Sequence, residues 1–233
     1  MKTIYLLCGL LCDEVVWEAQ AKTLRQDYDV RVVSFLDGEE SLAAMAERVL
    51  ADAPASFALA GHSMGGRVAL EVYRRAPRRV ERLALLDTGY ECAVPGEAAK
   101  RAVLVDQALA KGIDSIAAAW GLPMLAPDRR SDPVLVKEVF DMVGRMSAEI
   151  YAAQTRALLS RPDASEVLRS IACQTLILCG MQDGWSPPER HRRMAELLPQ
   201  PPLLWLVDGC GHMSMMEQPD AVREALREWL ASH

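Results

Sequence analysis

The chain has 233 residues, about half of them hydrophobic, and a formal net charge of −6. This length suits one domain with a sizeable core. The basic residues are interspersed with acidic ones, and no stretch is apolar for long enough to span a bilayer, so we expect neither a nucleic acid partner nor a membrane span.

Short apolar runs alternate with helical patterns along the chain. Such alternation is typical of a mostly parallel sheet with crossover helices on both faces, which is an α/β fold. The runs predict six strands at about 3–8, 29–35, 57–61, 82–87, 174–179 and 203–207. Between Gly89 and Ile171 the alternation stops, and the pattern predicts four helices near 96–111, 114–120, 133–145 and 147–160.

The third predicted strand runs directly into Gly61-His62-Ser63-Met64-Gly65. This matches G-x-S-x-G, the sharp strand-to-helix turn that holds a nucleophilic serine in a strained conformation. The glycines are needed because side chains two residues before and after the serine would collide. An amphipathic helical pattern follows, so the motif has the flanking elements that it requires, and Ser63 is predicted to be the nucleophile.

A serine hydroxyl needs a histidine base, and the chain has only four histidines. His62 adjoins Ser63 and should point away from its hydroxyl. His191 lies in a charged run that indicates a solvated helix face, and His233 is the last residue. His212, on the loop after the last predicted strand, is therefore the predicted base.

Two aspartates are candidates for the acid that orients the histidine. Asp183 follows the fifth predicted strand and Asp87 follows the fourth. We favour Asp183, because its strand should neighbour the strand that carries His212. The order Ser63, Asp183, His212 is also the order of the α/β hydrolases.

With these motifs the chain resembles a small α/β hydrolase along nearly its whole length. The specific parts are the Ser63 motif, the Gly180-Met181-Gln182-Asp183 loop, and the Gly209-Cys210-Gly211-His212 loop, which runs into Glu217-Gln218-Pro219. The resemblance implies a single domain, residues 1–233, with a helical cap inserted over residues 90–171. It also implies an oxyanion hole made by the backbone amides of Leu10 and Met64. The usual histidine of the first turn is Cys8 here, which leaves open how that turn is braced.

A cap of this kind should shape the substrate pocket. Apolar and amide side chains near the predicted site suggest a largely apolar pocket. The candidates are Trp120, Met124, Leu125, Gln154, Trp185 and Met213. Gln154 shares a helix face with apolar residues, so its amide should point inward, either to a substrate carbonyl or to a helix end. Arg156 is the one nearby cation that we nominate for a carboxylate, although its face is directed outward.

The six cysteines lack the spacing of a disulfide framework or of paired metal ligands. We expect free thiols in the cytoplasm, with no metal and no cofactor. Alkylation of Cys8 and Cys210, which flank the proposed oxyanion and base loops, is expected to slow the enzyme.

Together these features predict a serine hydrolase that cleaves a small to medium, largely apolar carboxylic ester through an acyl-enzyme on Ser63. A carbon–carbon bond or lactone hydrolase of the same fold is the alternative, because fold and triad do not name the bond. A non-catalytic ligand receptor is the alternative from another class. The expected partner is a small acyl substrate, and the sequence leaves monomer and homodimer equally open.

Overall fold

A computed structural model describes residues 1–231 of the chain and shows the predicted α/β architecture. Each of its six strands lies within two residues of its predicted bounds. They are β1 (Lys2–Leu7), β2 (Tyr28–Val33), β3 (Phe57–His62), β4 (Val80–Leu86), β5 (Gln174–Gly180) and β6 (Leu203–Val207). The terminal His233 lies outside the described residues.

The strands form one sheet in the order β2-β1-β3-β4-β5-β6, and every neighbouring pair is parallel. The chain therefore moves outward from β1 to β2, returns past β1 to β3, and continues in the opposite direction. This reversal places the loops after β1 and β3 side by side, since Leu7 pairs with Gly61 at the ends of those strands. Ligand sites of open parallel sheets form at such a reversal, at the carboxyl ends of the strands.

Helices cover both faces of the sheet. Those that connect or follow the strands are α1 (Glu18–Leu24), α2 (Leu42–Ala51), α3 (Met64–Arg75), α9 (Pro188–Leu197), α10 (Ser214–Glu217) and α11 (Pro219–Ala231). Right-handed crossovers place α1 on one face, and α2, α3 and α9 on the other, because the chain changes direction between β2 and β3. The contacts agree, since α1 packs on α11 and α2 packs on α3.

A helical insertion, here residues 97–170, separates β4 from β5. Its helices are α4 (Glu97–Lys111), α5 (Ala117–Gly121), α6 (Pro133–Gly144), α7 (Ala148–Leu159) and α8 (Ser165–Ser170). The first four correspond to the four predicted helices, with a 3₁₀ turn leading into α5. Helix α8, which has six residues and packs on α3 and α9, is not predicted by the sequence pattern.

The strands are apolar because the sheet is covered on both faces. Central strands such as β3 are buried along their whole length, as expected of a parallel sheet between helical layers. Within residues 1–231, no helix combines the length and the apolar character that crossing a bilayer requires.

Candidate active site

Ser63 lies at the turn between β3 and α3, in a conformation that few non-glycine residues adopt. Its φ is 53° and its ψ is −115°. Such strain persists only where the surrounding structure imposes it, and it is common at functional sites. Here the Ser63 amide donates to the Leu86 carbonyl, and the Ser63 carbonyl accepts from Gly66. The strained turn lifts the Ser63 side chain above the carboxyl ends of the strands.

The glycines of the motif are required by close backbone contacts. A Cβ at Gly61 would lie 2.3 Å from the carbonyl oxygen of Gly65, and a Cβ at Gly65 would lie 2.4 Å from that of Leu7. Both neighbours are backbone atoms, which cannot rotate away as a side chain can. A side chain at either position would therefore collide with the backbone, as the sequence predicts.

His212 and Asp183 complete a hydrogen-bonded chain with Ser63. His212 Nε2 lies 2.8 Å from Ser63 Oγ, and His212 Nδ1 lies 2.8 Å from Asp183 Oδ2. Because the carboxylate can only accept, Nδ1 carries the proton and Nε2 is free to accept from the hydroxyl. The other Asp183 oxygen accepts the amides of Trp185 and Ser186, each at 2.8 Å. The carboxylate is thus fixed by three donors and is almost fully buried.

The electrostatics of this buried pair favour a charged carboxylate beside a basic imidazole. Burial opposes ionisation of both groups, but the mutual attraction and the hydrogen bond outweigh it. The pKa of Asp183 is lowered and the pKa of His212 is raised. A base with a raised pKa accepts the hydroxyl proton more readily.

Asp87, the second acid candidate, does not contact His212. Its Oδ1 accepts the Gly180 amide at 2.9 Å, and its Oδ2 is hydrogen-bonded to the Ser214 hydroxyl. Complete burial and the nearby Asp183 raise the pKa of Asp87 to about 8. Asp87, Asp183 and Cys179 place their potential ligand atoms within 4.8 Å of one another. Since the Asp183 oxygens already accept three hydrogen bonds, the geometry favours Asp183 as the acid and not as a metal ligand.

The backbone amides of Leu10 and Met64 lie on the two loops that meet beside Ser63. Leu10 follows β1, and Met64 is the first residue of α3. Among the hydrogen bonds of residues 1–231, none takes up either amide. The amino end of α3 also carries partial positive charge from the helix dipole. This arrangement suits the stabilisation of a developing oxyanion.

Gln154 does not line the cavity beside Ser63 and braces the loop after β1 instead. Its Oε1 accepts the Leu11 amide at 2.9 Å, and its Nε2 donates to the Phe35 carbonyl at 2.7 Å. The inward direction of the amide is as predicted, but it contacts neither a substrate position nor a helix end. Leu11 has a φ of 55°, a strained conformation for a residue other than glycine. The side-chain amide of Gln154 therefore holds a strained loop in place. Here a side chain from the helical insertion braces the turn in which Cys8 replaces the usual histidine.

Gln182 and Glu217, which the motifs contain but to which we assigned no role, hold the His212 loop. Gln182 Oε1 accepts the Cys210 amide, and Glu217 Oε1 accepts the Gly211 amide at 2.8 Å. Glu217 Oε2 accepts the amide of Ala126 in the insertion, also at 2.8 Å. The sequence alone does not indicate this role of Glu217, because it does not distinguish a buried glutamate that accepts backbone amides from an exposed one.

The remaining described histidines are buried and neutral. His62 Nε2 donates to the His212 carbonyl at 2.8 Å, and burial together with the nearby His212 lowers the pKa of His62 to about 3. The prediction of a solvated His191 is wrong. Its ring is fully buried, Nε2 accepts the Thr88 amide, and burial lowers its pKa to about 4. The charged run around His191 belongs to an amphipathic helix, α9, whose inner face includes this residue.

A small cavity opens beside Ser63 and His212. Its volume is about 40 Å³, enough for a few water molecules. Four of its side chains come from the helical insertion, and four of the six predicted pocket residues lie in its wall. The cavity is lined by Leu10, Cys12, His62, Ser63, Arg101, Trp120, Met124, Leu158, Trp185, His212 and Met213. Leu125 is buried in the core beside it, because the wall at that point is formed by Met124.

The expected effect of cysteine alkylation does not fit the burial of the thiols. Cys8 and Cys210 have no exposed surface, and burial raises the pKa of Cys8 to about 12 and the pKa of Cys210 further. A reagent needs an accessible thiolate, so neither residue is expected to react in the folded protein. Cys92 is the exposed cysteine among the six, all of which are free thiols.

The sheet order, the helical insertion and the strained serine turn define an α/β protein of the hydrolase fold. A family model described as the alpha/beta hydrolase family matches residues 16–225. The chain belongs to this family and is a hydrolase.

Proteins similar to this chain are named as hydrolases of several kinds. A protein of Agrobacterium fabrum named as the carbamate hydrolase RutD is 26% identical over 98% of this chain and 92% of that protein. A 2-hydroxy-6-oxo-2,4-heptadienoate hydrolase of Pseudomonas putida is 28% identical, over 75% of this chain and 63% of that protein. A thermophilic esterase from Thermogutta terrifontis, solved with malate bound, has a TM-score of 0.87 and 27% identity. The matched region includes 89% of the esterase chain and 99% of this chain.

Proposed function

We propose that the chain is a serine hydrolase that cleaves a small to medium carboxylic ester with a largely apolar acyl group. The observation that carries the proposal is the chain of two 2.8 Å hydrogen bonds from Ser63 through His212 to Asp183. Ser63 attacks the carbonyl carbon, and His212 accepts the hydroxyl proton and returns it to the leaving alcohol. Asp183 holds the imidazole in the tautomer that accepts at Nε2.

The amides of Leu10 and Met64 receive the negative charge of the tetrahedral intermediate. Collapse of the intermediate expels the alcohol and leaves an acyl-enzyme on Ser63. Water, deprotonated by the same imidazole, then releases the acid. The helical insertion acts as a cap, since Trp120, Met124 and Leu158 form an apolar wall that excludes bulk water.

The small cavity favours short acyl groups, and longer ones require the wall to move. Trp185 is the side chain best placed to do so, because it lines the cavity and is 41% exposed. The names of the relatives include carbamate and dienoate hydrolases, so the kind of bond needs its own test. A panel should include amide, lactone and carbon–carbon substrates beside the esters.

The test is intact-mass analysis after treatment with a fluorophosphonate, with Ser63→Ala as the matched variant. We expect one adduct on the wild type and none on Ser63→Ala. Esters of graded acyl length then measure the pocket, with a preference for short chains. If correctly folded wild type stays unlabelled, Ser63 is not an activated nucleophile and the proposal is wrong.

A further inference from the structure

Arg101 is a cation in the cavity wall that no sequence pattern indicated. It lies on α4 of the helical insertion and lines the same cavity as Ser63 and His212. Of the described residues that form this wall, Arg101 alone has a permanent charge. By contrast Arg156, the cation nominated from sequence, is exposed and paired with Glu40 outside the cavity.

Among the described residues, the guanidinium of Arg101 forms a hydrogen bond through only one of its three nitrogens. Its Nε donates to Glu97 Oε1 at 2.8 Å, and its side chain is 19% exposed. Within residues 1–231, no hydrogen bond engages its two terminal nitrogens. These are the atoms with which arginine binds a carboxylate through two parallel hydrogen bonds.

The charge around Arg101 is not balanced. Glu97 also accepts two hydrogen bonds from Arg161, at 2.9 and 2.7 Å, so one carboxylate serves two guanidinium groups. An anion that enters the cavity would offset this excess positive charge in a largely dehydrated setting, where such attraction is strong.

Trp120, another residue of the same wall, has an unpaired buried donor. Its side chain lines the cavity and is 2% exposed. Its indole Nε1 is fully buried and has no hydrogen-bond partner among the described residues. A buried donor without a partner is costly, and an oxygen acceptor on a bound ligand would satisfy it.

We propose that Arg101 and Trp120 form a subsite for a carboxylate that the substrate carries in addition to its scissile carbonyl group. This inference rests on the proposed function and narrows its substrate class to short acyl compounds with a free acid group, such as monoesters of dicarboxylic acids. The apolar wall would contact the carbon chain between the two ends.

The test compares two p-nitrophenyl esters of equal chain length, the pentanoate and the monoester of glutarate. For the wild type we expect a clear preference in kcat/KM for the glutarate monoester. In Arg101→Gln the ratio of the two kcat/KM values should fall by about 10- to 100-fold, the usual worth of a charged hydrogen bond. Arg101→Lys should retain part of the preference, and Trp120→Phe should reduce it by less than Arg101→Gln.

Arg156→Gln is the matched control, because it removes an arginine of the insertion outside the cavity. It should leave the ratio of the two esters as in the wild type. Equal losses on both esters in Arg101→Gln, or an unchanged ratio, would overturn the inference. Fluorophosphonate labelling of Ser63 separates the two proposals. A labelled enzyme without a glutarate preference contradicts only the carboxylate subsite, whereas an unlabelled, inactive wild type contradicts the serine hydrolase itself.

Discussion

At the scale of single residues, the site depends on a few groups whose burial changes their chemistry. Asp183 and Asp87 both follow strands and both are buried, yet they differ in partners. The pKa of Asp183 is lowered, and His212 and two amides donate to it, while the pKa of Asp87 is raised and it binds Gly180 and Ser214. Identical residue types thus have different roles because their neighbours supply different charges.

Exchanging each carboxyl group for an amide separates these roles. Asp183→Asn should lower kcat by about ten-thousand-fold, because an amide at this position favours the wrong imidazole tautomer. Asp87→Asn should cost far less, since a neutral side chain of the same shape can still accept the Gly180 amide. Steady-state ester hydrolysis measures both, with circular dichroism as the check on folding. A larger loss in Asp87→Asn than in Asp183→Asn would make Asp87 the acid.

The reaction of Ser63 should rise with pH. His212 acts as a base only when neutral, and its pKa is raised, so labelling by a fluorophosphonate should increase through a midpoint above 6.5. His62 and His191, with pKa values of about 3 and 4, are already neutral there. Stopped-flow labelling between pH 5 and 9 gives the midpoint.

Asp87→Asn is the control for this titration, because it removes a nearby carboxyl group whose pKa is raised to about 8. A midpoint should persist in that variant, slightly lowered because Asp87 also raises the pKa of His212, and it should fall further in Asp183→Asn, which lacks the main carboxylate that stabilises the imidazolium. A pH-independent rate would exclude His212 as the base.

At the scale of elements, the helical insertion is tied to the catalytic loops by hydrogen bonds. Gln154 of α7 holds the loop after β1, Glu217 joins Ala126 to the His212 loop, and Met124 accepts the His212 amide at 2.7 Å. The insertion thus contributes to the position of the proposed oxyanion amides and of the proposed base, besides lining the cavity.

Replacing Gln154 tests this link. Gln154→Leu leaves the Leu11 amide without an acceptor, so the loop with the Leu10 amide should shift. We expect kcat per labelled active site to fall by up to about a hundredfold, with KM little changed because Gln154 does not line the cavity. Arg156→Gln, on the outer side of the same helix, is the matched control. If only the number of labelled sites falls, Gln154 serves stability alone.

At the scale of the whole molecule, the sheet order brings the site together. The reversal between β1 and β3 joins the Leu10 loop to the Ser63 turn, and the parallel pairing of β5 with β6 joins the loops of Asp183 and His212. Four loops, which carry Leu10, Ser63, Asp183 and His212 and are spread over about two hundred residues of the chain, therefore meet at the carboxyl edge of the sheet. No local propensity produces this meeting, which follows from strand order and right-handed crossovers.

The sequence by itself determined the elements and the order of the motifs. Apolar runs predicted all six strands, and the glycines around Ser63 predicted its turn, because backbone collisions at two close positions are a local property. The short helix α8 was missed, since six residues hold too little periodicity.

Only the tertiary structure decided which polar side chains face inward and what they contact. The chain alone did not distinguish Arg101 in the cavity wall from Arg156 outside it, or a buried His191 from a solvated one. The physical reason is that the environment of a polar side chain depends on neighbours distant in the chain. Burial, hydrogen-bond partners and pKa follow from those neighbours, and composition and spacing do not encode them.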